Sequence, residues 1–216
     1  MPESQHDIRH ADEMTASQKY RFMTSVIVPR PIGWLSTRSA AGIDNLAPFS
    51  YFNAFASEPM LVGAAIGRRG AEPKDTLVNI RETGVFCANM VTERHAAAMN
   101  RTAGDYPAGV SEFDAAGIPR AQAGSVDAPY VADCPVVLEC RLFKEVELGA
   151  ASTTLVIGEI VAIRLSAEMR ELWHKDFLDT SSLKPVGRLW AGYYALVDGI
   201  FRLDRPRIDR ETGEES

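Results

Sequence analysis

The 216-residue sequence has no apolar run approaching the ~20 residues that a bilayer-crossing helix needs. Its first residues, M-P-E-S-Q-H-D-I-R-H-A-D-E-M, hold neither the apolar core of a secretory signal nor an acid-free, Arg-rich amphipathic pattern. A soluble, cytoplasmic protein without a membrane partner is expected. Basic residues are not in excess: 23 Lys and Arg face 29 Asp and Glu, for a net charge of −6. That balance argues against a dedicated nucleic-acid face but leaves room for a small phosphate-bearing ligand, which needs only a few local cations. Cysteine is scarce. Cys87, Cys134 and Cys140 form no C-x-x-C, so free, buried thiols in a reducing compartment are expected.

Several catalytic signatures are missing as well. There is no G-x-G-x-x-G, no P-loop, no H-E-x-x-H and no G-x-S-x-G. The four histidines, at 6, 10, 95 and 174, are scattered. No metal-ligand spacing results, and His95 and His174 read as surface or packing residues.

What is present is an ordinary globular balance, 46% hydrophobic and 24% charged, enough for one large domain. Thr15 is placed to cap a helix running to about Ser25. Extended segments are expected over 32–38, 43–56, 60–66, 85–91, 135–148 and 153–165, with a hairpin turn over 149–152. Residues 75–83 suit a helix stopped by Gly84, and Thr92 could cap another running to about 103. Asp198-Gly199 reads as a hairpin turn between strands at 192–196 and 200–203. Residues 104–130, rich in Gly, Pro, Ala and Ser, read as a long loop. Regular βαβα alternation is absent, so an antiparallel barrel with small helices at its edge fits best. No internal repeat or linker divides the chain.

Two regions carry chemistry. The first joins R-P-I-G-W-L-S-T-R (30–38) to N-L-A-P-F-S-Y-F-N-A-F (45–55). Hydroxyls, an amide and aromatics are mixed there, as a planar amphipathic ligand requires; a half-buried strand with aromatic packing would look the same. The second is G-R-R-G-A-E-P-K-D-T-L (67–77). Arg68, Arg69 and Lys74 precede a helix start whose free N–H groups attract anions. A solvated charged turn is the alternative, with Asp75 serving only as a helix cap.

Together these regions resemble the flavin reductase-like family of FMN-binding split-barrel proteins, in its flavoredoxin-like branch. R-P-I-G-W-L-S-T, N-L-A-P-F-S-Y-F-N, E-P-x-L, K-D-T-L-x-N-I and G-x-F-x-x-N occur in order. A-P-Y-V-A-D-C-P-V-V-L-E-C (128–140), I-G-E-I-V (157–161) and V-G-R-L (186–189) with Tyr194 follow. The likeness covers about 20–206, leaving residues 1–19 as an N-terminal arm and 207–216 as a charged tail. It implies a mainly β fold with short helices, a six-stranded antiparallel split barrel of Greek-key type, forming a homodimer with FMN near the subunit interface.

By the same resemblance, Trp34, Ser36 and Thr37 would lie by the flavin and its ribityl-phosphate. Ser50, Tyr51, Phe52 and Asn53 would follow the isoalloxazine edge. Arg68, Lys74, Asp75 and Thr76 would surround the phosphate. No catalytic acid or base is implied, because the flavin carries the redox chemistry. The implied activity is an NAD(P)H-dependent flavin reductase passing hydride from nicotinamide to FMN, and on to a flavin or other acceptor. A flavoredoxin-like electron carrier with a protein partner, or a non-catalytic FMN-binding module, would use the same cradle. In one departure, Trp190 and Ala191 stand where the family usually has small glycines, which would narrow a pocket or a dimer seam.

Overall fold

The computed structural model describes residues 7–107, 109–149, 153–174 and 177–208. His6, most of the expected 149–152 turn and the tail from 209 onward lie outside the described residues.

Among the described residues, seven strands form one antiparallel sheet: β1 (Gly33–Arg38), β2 (Asp44–Phe49), β3 (Phe52–Ser57), β4 (Met60–Ile66), β5 (Val85–Met90), β6 (Val136–Leu148) and β7 (Thr153–Leu165). Their order is β2-β1-β5-β6-β7-β4-β3. The two edge strands, β2 and β3, are separated in sequence only by Ser50 and Tyr51. Three Cα–Cα steps reach at most about 11 Å, so the sheet must curl until its edges nearly meet. The Ala65 N–H donates to the Tyr51 carbonyl at 2.8 Å at this corner. The barrel class is as expected, with one strand more than six. The extra strand arises because 43–56 is not one irregular stretch but two strands that pair with opposite ends of the sheet.

Alternation along the strands sorts side chains into two cores. Leu35, Phe86, Ala88, Cys140 and Val156 pack inside the barrel, where helix α2 (Asp75–Thr83) adds Leu77 and Ile80. A β-carbon on Gly33 would sit 2.5 Å from the Phe52 ring, so only glycine lets β1 and β3 approach there. Trp34, Cys87 and Val137 point the other way, into a second core covered by helix α3 (Ala96–Arg101), helix α4 (Glu112–Ala115) and 116–134.

Local signals place the helices. Thr15 and Gln18 form a reciprocal capping box on helix α1 (Ala16–Val26). Gly84, at φ 71°, ends α2. Three expectations need correction. Lys74, not Asp75, is the α2 N-cap residue, and Asp75 is already helical. Thr92 caps no helix through its side chain; a 3-10 turn, Glu93–His95, intervenes before α3. Asp198-Gly199 joins no hairpin, because Tyr194–Leu196 pairs back on Val186–Arg188 while Ile200 and Phe201 stay exposed.

Candidate functional site

Strand β1 presents little to solvent. Trp34, Ser36 and Thr37 are wholly buried. The Trp34 indole N–H donates to Thr102 Oγ1 at 2.8 Å. Ser36 Oγ donates to the Pro129 carbonyl at 2.6 Å and accepts from Asn89 Nδ2 at 3.0 Å. Arg30 is buried too, its guanidinium on the carbonyls of Thr24, at 2.7 Å, and Leu189, at 2.8 Å.

On the opposite face of β1 a buried polar network runs beneath α2. Thr37 Oγ1 donates to Asn45 Oδ1 at 3.3 Å and accepts from Asn79 Nδ2 at 3.0 Å. Thr76 Oγ1 donates to the same Asn45 oxygen at 2.8 Å. The Asn45 amide N–H group donates to both Glu112 oxygens, at 3.0 and 2.9 Å, and the Leu46 N–H donates to Glu112 at 2.9 Å. Burial pushes the Glu112 carboxyl above its usual range, against the lowering effect of the Leu46 N–H.

A cavity of about 140 Å3 opens at the α2 N-terminus, bordered by Lys74, Asp75, Thr76, Arg69, Asn45 and Glu112. The first intrahelical bonds run from Leu77 and Val78 to the Lys74 carbonyl, so the Asp75 and Thr76 N–H groups have no intrahelical acceptor. Arg69 pairs with two carboxylates: its Nη1 lies 3.6 Å from Asp75, and its buried Nε lies 3.3 Å from Asp105, outside hydrogen-bonding geometry. Arg68 turns away, donating to the Ala71 carbonyl of its own hairpin at 2.9 Å. The Lys74 ammonium sits 5.5 Å over the Phe49 ring. This end of the cavity combines Lys74 and a helix N-terminus with Arg69, whose charge is matched by Asp75 and Asp105, so the donors open to an anion are the Lys74 ammonium and the first α2 N–H groups.

A second cavity of about 160 Å3 adjoins the first, with Pro48 and Ala103 bordering both. Ser50, Tyr20, Met99 and Tyr194 line its far part. Tyr194 is held by the Arg188 guanidinium, 4.5 Å over its ring, and donates to Asn100 at 3.1 Å. The two adjoining cavities, together the channel, are charged at the first end and mixed at the second, where Ile32, Met99 and Pro48 stand with the Ser50, Tyr20 and Tyr194 hydroxyls and Arg188.

Ser50 also borders a third, mostly apolar groove of about 610 Å3, with Tyr51, Phe52, Asn53, Phe55 and Leu148. The 50–53 segment thus turns mainly toward this groove, on the other side of the β2–β3 corner. Trp190 is half exposed and stacks 4.9 Å from Tyr193, away from the channel lining. Ala191 adopts φ 47°, a left-handed conformation that explains a glycine preference at this position.

The remaining candidates are structural. His95 is buried, with Nδ1 2.8 Å from Thr92 Oγ1 and Nε2 3.5 Å from Asp133. Burial holds it below the ordinary imidazole range, against the pull of Asp133. The thiols of Cys87 and Cys134 are pushed up to about 12 by burial, and Cys140 is raised the same way, so none supplies a thiolate. No cluster able to hold a metal occurs among the described residues. Sequence reasoning missed Glu112 and the linking role of Asn45. A lone Glu in a Gly/Pro-rich stretch gives no local signal, since its partner lies 67 positions away.

A profile of the family described as "Flavin reductase like domain" matches residues 23–180. An uncharacterised protein of Deinococcus radiodurans is 37% identical over 195 residues, covering 88% of this chain and 85% of its own. The crystal structure of nitrilotriacetate monooxygenase component B from Bacillus cereus is similar at TM-score 0.87 and 30% identity, covering 92% of this chain and 98% of that one. The 2-nitrobenzoate 2-nitroreductase of Pseudomonas fluorescens is similar at TM-score 0.84 and 31% identity, covering 96% and 100%.

Proposed function

The chain belongs to the flavin reductase-like family, and on that premise we propose that it is an FMN-dependent, NAD(P)H-oxidising flavin reductase. It would take a hydride from reduced nicotinamide and deliver the electrons to a flavin or another acceptor. The observation that supports FMN is the donor set at one end of the channel: the first N–H groups of α2, without an intrahelical acceptor, beside the Lys74 ammonium and with Arg69 behind them. A phosphate fits these donors. Asp75, held by Arg69, is offset in charge and does not close the site.

When bound, the flavin supplies the redox chemistry. The chain's own residues bind and orient it. Lys74, Arg69 and the Asp75 and Thr76 N–H groups hold the phosphate. Pro48 and Ala103 direct the ribityl chain. Ser50 offers a hydroxyl to a ring edge beside the Met99 and Tyr194 side chains. Trp34, Ser36 and Thr37 act beneath this wall, fixing β1 rather than touching the ligand.

The reading includes a homodimer in the cytoplasm. Helix α1 exposes Tyr20, Phe22, Met23 and Val26, and the β2–β3 corner exposes Tyr51 and Phe55. A second copy would cover this surface and the apolar groove beside it.

Anaerobic titration of the flavin-loaded protein with NADH and NADPH, followed by absorbance, tests the activity. Bleaching by at least one nicotinamide is expected. Bleaching by dithionite alone would replace the reductase with an electron carrier or a storage protein. Heat extraction should release FMN, and FAD alone would overturn the cofactor assignment. Light scattering should give twice the 23.7 kDa chain mass.

A further inference from the structure

We propose that Glu112 is a positioning residue for the anion-binding end of the channel, acting through the side-chain amide of Asn45. The inference rests on the reading of that end as a phosphate site and adds how it is kept in register.

An ionised carboxylate accepts hydrogen bonds only, whereas an amide has one accepting and one donating end. Glu112 takes three: two from the Asn45 amide N–H group and one from the Leu46 N–H. Asn45 therefore has one allowed orientation, with Oδ1 toward α2. In that orientation Oδ1 receives the Thr76 and Thr37 hydroxyl protons. Asn79, one turn further along α2, ties into the same cluster through Thr37. Glu112, Asn45, Thr76, Thr37 and Asn79 are all buried, so a bond lost within the cluster is costly.

Two consequences follow for an incoming phosphate. The first turn of α2 is anchored to β1, β2 and α4 together, which sets where the Asp75 and Thr76 N–H groups aim. The Thr76 hydroxyl proton is engaged by Asn45, so the phosphate meets the Thr76 backbone N–H and not its hydroxyl. Glu112 also explains why a carboxylate borders an anion site. Its oxygens are occupied by Asn45 and Leu46, and it shapes the donor set from behind.

Glu112→Gln tests the assignment. Its single oxygen can serve Leu46, but its amide N–H group then opposes the Asn45 N–H group, and Asn45 loses its fixed orientation. FMN affinity should fall about tenfold, the lower end of the scale for hydrogen bonds that support metal ligands from behind. Riboflavin affinity should stay within about twofold, because it has no phosphate. Glu112→Gln combined with Asn45→Asp restores a complementary pattern: the new amide donates to the new carboxylate, which still accepts from Thr76 and Thr37. This pair should recover most of the FMN-to-riboflavin affinity ratio.

An unchanged ratio in Glu112→Gln overturns the proposal, and so does a paired variant no better than the single one. If Glu112→Gln alone does not fold, the paired variant decides: a wild-type ratio supports the proposal and a lowered one overturns it. Titration with inorganic phosphate, followed through the Asp75 and Thr76 amide resonances, reads the anion end without flavin. A wild-type protein that binds phosphate but not FMN would remove the flavin reading alone. Equal phosphate affinity in wild type and Glu112→Gln would remove the role of Glu112.

Discussion

Residues 30–38 and 67–77 are both rich in polar and charged side chains, yet their polar groups differ in fate. In the first segment the Trp34, Ser36 and Thr37 side chains, and all but one nitrogen of the Arg30 guanidinium, find acceptors within the chain. In the second, two backbone N–H groups at the start of α2 have no intrahelical acceptor and the Lys74 ammonium stands beside them at a cavity. The difference is topological. Strand β1 lies mid-sheet with a core on each face, and a buried hydroxyl there must be satisfied internally. Residues 67–77 form a hairpin and a helix start beside a cavity of about 140 Å3, which leaves room at the α2 N-terminus for water or a ligand.

The contrast predicts that the two segments fail in different ways. The largest effect is expected from Trp34→Ala, which leaves a cavity in the outer core and strips Thr102 of its donor. It should destabilise the protein by about 3–5 kcal/mol, read as a lower urea midpoint, while the folded fraction keeps its preference for FMN over riboflavin. Loss of that preference would place Trp34 on the ligand after all.

Next come the cations of the second segment. Lys74→Ala removes a charge-assisted bond worth about 1.5–3 kcal/mol, roughly ten- to hundredfold in FMN affinity, with riboflavin binding unaffected. Arg69→Met should act in the same direction. Arg68→Met should change either affinity by less than about twofold, as an exposed residue bonded to its own turn. Fluorescence quenching with both flavins checks all three, and equal effects from Arg68 and Arg69 would break the distinction between them.

Thr76→Val should act smaller and differently. Its hydroxyl proton belongs to Asn45, so the loss should be about 1 kcal/mol of stability with an FMN-to-riboflavin ratio close to wild type. A tenfold fall in that ratio would show the hydroxyl on the phosphate.

The smallest effect concerns the layer covering β1. His95 stands 6.3 Å from the Trp34 ring, and burial lowers its folded pKa. The unfolded chain therefore takes up the proton first as pH falls. The stability this contributes is full above about pH 6.5 and is lost as pH drops through the folded value, by at most about 1.4 kcal/mol per pH unit. Urea midpoints from pH 7.5 to 5 should show a slope that His95→Gln flattens. An unchanged slope would assign the acid sensitivity to other groups.

Much of the framework was legible because its signals are local. The spacing in 75–83 and Gly84 marks α2, and the alternation in 153–165 marks β7. The ordered motifs from 30 to 189 point to the family. Three features were illegible for one shared reason. Neither alternation nor the family resemblance, which places Ser36 and Thr37 by the flavin, tells whether both faces of β1 are covered, and here both side chains are buried in hydrogen bonds within the chain. Arg68 and Arg69 are neighbours with the same charge, and only the turn of the hairpin separates their directions. Asp198-Gly199 has the chemistry of a tight turn, but Leu196 pairs with Val186 instead.

From the sequence alone come the strand-rich composition, the α2 start with its cations and the family pattern. These depend on neighbours within a few residues, where covalent geometry and side-chain type suffice. Only the tertiary structure decided which donors remain open. That outcome depends on Thr102 reaching Trp34, Pro129 reaching Ser36 and Glu112 reaching Asn45 across 67 to 93 positions. A hydrogen-bonding group's availability is set by what packs against it, and in a barrel covered by its own later segments the packing partners are distant in the chain.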